Sequence, residues 1–359
     1  MKFKLKAISL FSGCGGDTSG LEQAGFEVVA YSEINKSAQK THDLNFKNSV
    51  LLGEDGDITK ISDKDLEQYK GTIDLIFAGF PCQGFSHAGK KDINDSRNKL
   101  FWEFVRITSI IKPKWIIGEN VAGLLRRKSD DGKSYISNII TQAFIDIGYN
   151  MAEPTVLKAE DFGIAQLRRR VFFVGNNKGL NFEFPNKIYH PSNFKTLEDI
   201  LEKSQKNSIE ISPEKIHNFK HNNILHIGSS SDLCTKNPHP MLKLRVPENL
   251  VSFGKRISIK HIELVDITKP TKTISCAYGW QPRLFVPFKS NGKFYAREFT
   301  IKELSRIQSF PEEFKLNGTK MEMITQIGNA VPPVLAKVLA EQVIKYEIGT
   351  LEGKKTTLF

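Results

Sequence analysis

Five apolar runs in the first 121 residues each end on a residue with useful chemistry or unusual backbone freedom. Ala7–Phe11 reads as a buried strand running into Ser12-Gly13-Cys14-Gly15-Gly16. Val28–Tyr31 ends at Glu33, a short strand near Val50-Leu51-Leu52 leads to Asp57, Ile73–Ala78 ends at Pro81-Cys82, and Trp115–Ile117 ends at Glu119. Helical stretches separate them: Ser19–Ala24 closed by Gly25, Ser37–Leu44, and the amphipathic Lys99–Ile111 stopped by Pro113. Alternation of this kind predicts a doubly wound α/β sheet with helices on both faces. In such sheets ligands bind beyond the carboxyl ends of the strands, where all five residues or loops stand.

From about Leu180 to Tyr295 the rhythm stops. Short apolar pieces, Pro and Gly punctuation and many polar residues predict a smaller, irregular, mostly β unit. Regular structure then returns. Thr300-Ile301-Lys302-Glu303 has the form of a capping box, in which each side chain satisfies the other's free backbone N–H. The last helix is expected after Pro332-Pro333, with Val334, Leu335, Val338, Leu339, Gln342 and Val343 as one stripe. A chain of 359 residues is long enough for two compact units.

Charge is unevenly spread. Lys and Arg total 51 against 40 Asp and Glu, a net +11. Residues 176–295 hold 18 of the cations and 10 of the anions, with six of the eight histidines. A phosphate backbone suits such a surface, although charge alone favours an ordinary solvated one. Cys14, Cys82, Cys234 and Cys276 lack metal-ligand spacing, so no metal is expected, and their scatter does not suit a disulfide framework. No apolar run approaches a membrane span and no signal peptide is evident. The expectation is a reducing compartment: cytoplasm, nucleoid or nucleus.

Local chemistry divides into two sides. The glycine loop lets backbone approach a ligand closely, and Glu33 suits bidentate bonds to a ribose diol. Neither a P-loop nor a clean Gly-x-Gly-x-x-Gly is present. On the reactive side, Cys82 sits at the end of a buried strand on a Pro-Cys step, a suitable nucleophile position. Glu119, after three buried apolar residues, must be paired or protonated, and either state suits acid–base work. In Gln166-Leu167-Arg168-Arg169-Arg170, alternation sends Arg168 and Arg170 to one side and Arg169 to the other.

Taken together, Phe11 to Phe26, Gly79 to Ser86, Glu119-Asn120-Val121, Gln166 to Gly175, Arg297 to Pro311 and Gln326 to Pro332 resemble the DNA (cytosine-5)-methyltransferases of bacterial restriction–modification systems. The likeness runs from Leu10 to about Val343, apart from the middle unit. It implies a class I, Rossmann-like S-adenosylmethionine-dependent sheet, and transfer of a methyl group to C5 of a flipped-out cytosine in double-stranded DNA. By resemblance Cys82 adds to cytosine C6, Glu119 holds the N3 edge, Arg168 bonds O2, and Arg170 orients that cluster. It implies backbone contacts to S-adenosylmethionine from Phe11, Gly13, Gly15 and Gly16, the ribose on Glu33 beside Ile34, and the adenine edge at Asp57 and Ile58. Gly79, Pro81 and Leu100 complete that site, with Asn329 near the methionine end. Gln83, Ser86 and Arg97 would touch DNA. The implied domains are 1–190 with 320–350 as a discontinuous catalytic unit, 191–319 as target-recognition region and hinge, and 351–359 as a tail. The implied protein acts as a monomer, in a system where a cognate restriction endonuclease works separately. Cys14 and Asp17 depart from the family pattern without changing loop length.

Four other readings are weaker. An RNA methyltransferase of the same fold typically carries a Cys-Phe-Thr triplet, which does not occur here. An amino-methyltransferase uses Asp/Asn-Pro-Pro-aromatic where this chain has Pro81-Cys82. A silent homologue would lose Cys82, Glu119 or Arg168, and a nicotinamide dehydrogenase fits neither the glycine pattern nor the basic middle unit.

Overall fold

The computed structural model describes residues 4–81, 99–129, 132–228 and 237–349. The predicted alternation is present. The strands of the first part are β1 (Lys6–Leu10), β2 (Glu27–Ser32), β3 (Val50–Leu51), β4 (Leu75–Ala78), β5 (Trp115–Val121), β6 (Asn150–Met151), β7 (Thr155–Lys158), β8 (Gln166–Leu167) and β9 (Arg169–Asn176). Between them lie helices α1 (Gly16–Ala24), α2 (Lys36–Asn45), α3 (Asp63–Glu67), α4 (Lys99–Ile111) and α5 (Ile136–Asp146). The main sheet runs β3-β2-β1-β4-β5-β9-β6, with β7 also on β9. β1 to β5 are parallel, whereas β9 runs antiparallel to β5. The chain leaves β1 toward one edge and β4 toward the other. The loops after these two strands therefore diverge and open a crevice at the switch point.

Residue alternation along the strands builds a core on each face. Ile8, Ile76, Ile116 and Phe173 pack with Phe104 and Ile107 of α4 and Ile140 and Phe144 of α5. Ala7, Leu75, Phe77, Trp115 and Phe172 pack on the other face with Leu21 of α1 and the last helix, α9 (Pro333–Glu347). Leu335, Leu339 and Val343 of α9 are fully buried, each contributing about 1.5–3 kcal/mol by leaving water. α1 and α9 touch so closely at Gly20 that a Cβ there would lie 2.2 Å from the Pro333 carbonyl oxygen.

The second unit has β10 (Ile209–Ile211), β11 (Leu225–His226), β12 (Val251–Phe253), β13 (Ile262–Leu264), β14 (Thr271–Lys272), β15 (Leu284–Ser290) and β16 (Lys293–Arg297). Its helices are α6 (Pro240–Arg245), α7 (Ile301–Ile307) and α8 (Lys320–Asn329). A sheet in the order β10-β16-β15-β13-β12, with β11 on β15, forms its centre. The expected capping box at Thr300 and Glu303 is formed, and Glu303 also takes a bidentate, fully buried ion pair from Arg297 at 2.7 and 2.8 Å. α8 falls in the segment expected to belong with the catalytic unit, yet Ile324 and Ile327 pack into the second core with Ile274, Tyr278 and Leu304. The apolar face of α8 turns to the second core, while its Gln326 bonds Thr41 and Ser37 of the first unit. No helix among the described residues is long and apolar enough to cross a membrane.

Candidate active site

A cleft of about 620 Å³ opens at the switch point. Phe11, Ser12 and Gly13 after β1, Glu33 and Ile34 after β2, and Asp57 and Ile58 beyond β3 line one part of it. Gly79, Phe80 and Pro81 after β4, Glu119 and Asn120 on β5, Leu100 on α4 and Arg170 on β9 line the rest, with Gly328 and Asn329 across the mouth. Phe11 takes the left-handed conformation at φ 56°, uncommon for a side chain with a Cβ, and so turns the loop back over the sheet edge. Glu33 ties the first two loops together: Oε2 accepts from the Gly13 N–H at 2.9 Å and Oε1 from the Asn35 N–H at 2.7 Å. Burial raises its pKa while those N–H donors pull it back. Asp57 caps the turn that follows it, accepting from the Thr59 N–H at 3.0 Å.

At the other end, Glu119 is 8% exposed and its Oε1 meets the Arg170 Nε at 2.8 Å. Burial pushes the Glu119 carboxyl up, and the Arg170 and Arg168 cations hold it part of the way back. Such a carboxyl can exchange a proton without leaving its partner. Asn120 donates from Nδ2 to the Phe80 carbonyl at 2.9 Å. It thereby fixes the Phe80-Pro81 step that leads to Cys82. Cys82, Gln83, Ser86 and Arg97 lie outside the described residues.

One expected site residue stands elsewhere. Arg168 is 1% exposed and does not line the cleft. Its guanidinium donates to the carbonyls of Ile274 at 3.3 Å, Gly328 at 3.2 Å and Ala330 at 3.0 Å. Burial, with the Arg170 charge beside it, lowers its pKa, opposed by Glu119. Alternation does place both arginines on one side, but distant carbonyls capture the first, leaving Arg170 to face the cleft. Gly15 and Gly16 directly follow Cys14, which lines the cleft, and both are tightly packed. A Cβ at Gly15 would strike the Phe46 ring at 2.4 Å, and one at Gly16 the Val331 carbonyl oxygen at 2.3 Å. Packing thus excludes a side chain at both positions.

The model of the C-5 cytosine-specific DNA methylase family matches residues 5–345. The chain belongs to this family. It is 34% identical to the type II methyltransferase M.FnuDI of Fusobacterium nucleatum, over 94% of each chain. It is 32% identical to M.DdeI of Desulfomicrobium norvegicum, over 95% of this chain and 89% of that one. A proposed DNA modification methyltransferase encoded in an Escherichia coli prophage superposes with a TM-score of 0.69 at 26% identity, covering 97% and 100% of the two chains. Spodoptera frugiperda DNMT2 superposes at 0.64, over 95% and 100%; with 19% identity this is a likeness of fold. The chain is thus a DNA (cytosine-5)-methyltransferase with the Rossmann-like sheet of S-adenosylmethionine-dependent enzymes.

In this methyltransferase a buried polar network joins the two units behind the cleft. Gln166 Nε2 donates to Gln308 Oε1 at 2.7 Å, the Ile274 N–H donates to Gln166 Oε1 at 3.0 Å, and Gln308 Nε2 donates to the Ala330 carbonyl at 2.6 Å. Gln166 and Asn120 fall within the motifs, where the sequence alone assigns neither a task. A glutamine before paired arginines and an asparagine after the acid were the available signals. Asp17 is a further buried acid. It is buried beneath the glycine loop, bonded to Ser9 and to Ser12.

Proposed function

We propose that this enzyme transfers a methyl group from S-adenosylmethionine to C5 of a cytosine flipped out of duplex DNA, within one short sequence. The carrying observation is the single cleft in which Glu33, Asp57 and Gly79 share walls with the Glu119–Arg170 pair. The cofactor end fits an adenosyl group chemically: an acidic acceptor at Glu33 for ribose hydroxyls, apolar Ile34 and Ile58 for a purine face, and open backbone at Gly13. At Gly79 a Cβ would meet Val331 Cγ2 at 3.6 Å, the Phe11 carbonyl oxygen at 3.7 Å and Glu119 Oε2 at 3.9 Å, ordinary contacts, so it would only take up room on the cleft wall. Bound S-adenosylmethionine supplies an electrophilic methyl group.

The chain's own residues prepare the base. Cytosine C5 is a weak nucleophile. Addition of the Cys82 thiolate to C6 makes C5 enamine-like, as a proton from the Glu119 carboxyl meets negative charge growing at N3. Arg170, which bonds Glu119 and lines the cleft, takes in this reading the O2 contact that the resemblance gave to Arg168. On transfer N3 returns its proton to Glu119; a solvent water then takes the C5 proton, and the electron pair it leaves expels the thiolate and restores the ring. The base reaches this cleft only when extruded from the stack. The reading accords with a modification enzyme whose nuclease partner acts separately.

Bisulfite sequencing after expression in a bacterium lacking cytosine methylation tests this. Protected cytosines at one short motif, absent with Cys82→Ala, are expected. No protected cytosine from soluble protein would overturn the reading and move attention to RNA.

A further inference from the structure

Beside the cleft mouth, two adjoining hollows of the second unit share Gln281 and Arg283. One of about 350 Å³ also holds Arg256 and Thr273; the other, about 240 Å³, holds Lys260 and Ile259. Arg256, Lys260 and Arg283 have no acidic partner among the described residues, unlike Lys272, which pairs with Glu263. Ile259 (80% exposed) and Trp280 (73%) are the two most exposed large apolar side chains described. Unpaired cations, an exposed amide and outward apolar groups on one face mark a surface that a polyanion with apolar edges would cover.

The face is rigidly joined to the catalytic floor. A Cβ on Gly328 would lie 2.4 Å from the Cys276 backbone nitrogen, and Arg168 grips the Ile274 carbonyl. Thr273 Oγ1 donates to the Leu167 carbonyl at 2.8 Å. The turn that follows is locked, with the Gln281 N–H on the Ala277 carbonyl at 2.9 Å and Tyr278 Oη donating to the Leu284 carbonyl at 2.9 Å. Gln281 and Arg283 thus stand at a fixed offset from Glu119 and Arg170. Gly328 itself lines the cleft, so this face adjoins the cleft wall.

We propose that Arg283 and Gln281 read base edges next to the target cytosine, while Arg256 and Lys260 hold phosphates. Arg283 is assigned to guanine, whose O6 and N7 accept its two-pronged donor, and Gln281 to adenine. The assignment rests on the proposed DNA reaction. Its test is genome-wide bisulfite sequencing of DNA methylated in a host lacking cytosine methylation, by the unaltered enzyme, Arg283→Ala and Lys260→Ala. The unaltered enzyme should mark one motif containing guanine beside the target. Arg283→Ala should still methylate, with guanine preference at one position relaxed about 10- to 100-fold. Lys260→Ala should keep the motif, while DNA binding weakens on all sequences and the log–log salt slope falls by about one. An unchanged motif with Arg283→Ala, at full expression and unaltered melting temperature, would overturn the assignment while leaving the DNA reaction standing. No methylation by the unaltered enzyme would overturn the reaction, and the assignment with it.

Discussion

Replacing Arg168 and Arg170 separately should give two different kinds of damage. Arg168 is buried and holds three carbonyls from two other segments. Charge-assisted bonds contribute about 1.5–3 kcal/mol each, and shared donors do not add fully. Arg168→Ala should therefore cost about 3–5 kcal/mol, the range for breaking a buried charged cluster. At roughly 2–4 °C per kcal/mol for a unit of this size, the melting temperature should fall about 6–20 °C. Arg170 is half-buried, bonded to Glu119 and to the neighbouring Arg169 carbonyl. Its loss leaves Glu119 without its main cation, and the raised carboxyl can relieve that by taking a proton. Arg170→Ala should thus cost only about 1 kcal/mol of stability while slowing single-turnover methylation about 10²–10³-fold. Calorimetry and single-turnover assays of both variants at one pH would decide. An Arg168→Ala protein that melts normally but turns over slowly would refute the separation of roles.

Asp17 gives a pH signature: burial above all pushes its carboxyl up to about 7. Its stabilising contribution is full below the ordinary carboxylate pKa of about 4 and is lost as pH rises toward 7. Asp17→Asn should therefore gain on the unaltered protein in melting temperature between pH 5 and pH 8, and a pH-independent difference would count against it. Glu303→Gln should lower stability by about 3 kcal/mol in urea titrations, because Arg297 is left charged and buried; a loss under 1 kcal/mol would contradict that. Glu33→Ala should weaken calorimetric binding of S-adenosylhomocysteine about 10- to 100-fold by removing a charged acceptor, and an unchanged titration would remove Glu33 from the cofactor site.

The strand ends were legible because each is written locally, as an apolar run and the residue after it. Glu33, Asp57, Gly79 and Glu119 therefore appear in one cleft as the sequence implied. The arginine pair was not legible. Alternation gives Arg168 and Arg170 the same side, and carbonyls 106 to 162 residues away choose between them. Gly15 and Gly16 carry a related ambiguity. A missing side chain looks alike in sequence whether it admits a ligand or, as here, the Phe46 ring and the Val331 carbonyl. The α8 boundary depended on which core faced Ile324 and Ile327, which neither residue states alone.

The pairing of α1 with α9 sets a schedule for the protein's birth. The two helices lie about 300 residues apart in the chain. At roughly 5–20 residues per second, the ribosome delivers the second about 15–60 s after the first. Until then Leu21, Phe26 and the part of the sheet under α9 lack that cover, while the second unit's sheet already has all its strands. Nascent chains of this enzyme should therefore recruit holdase chaperones on the first unit late into translation, and methyl transfer should begin only once α9 has emerged.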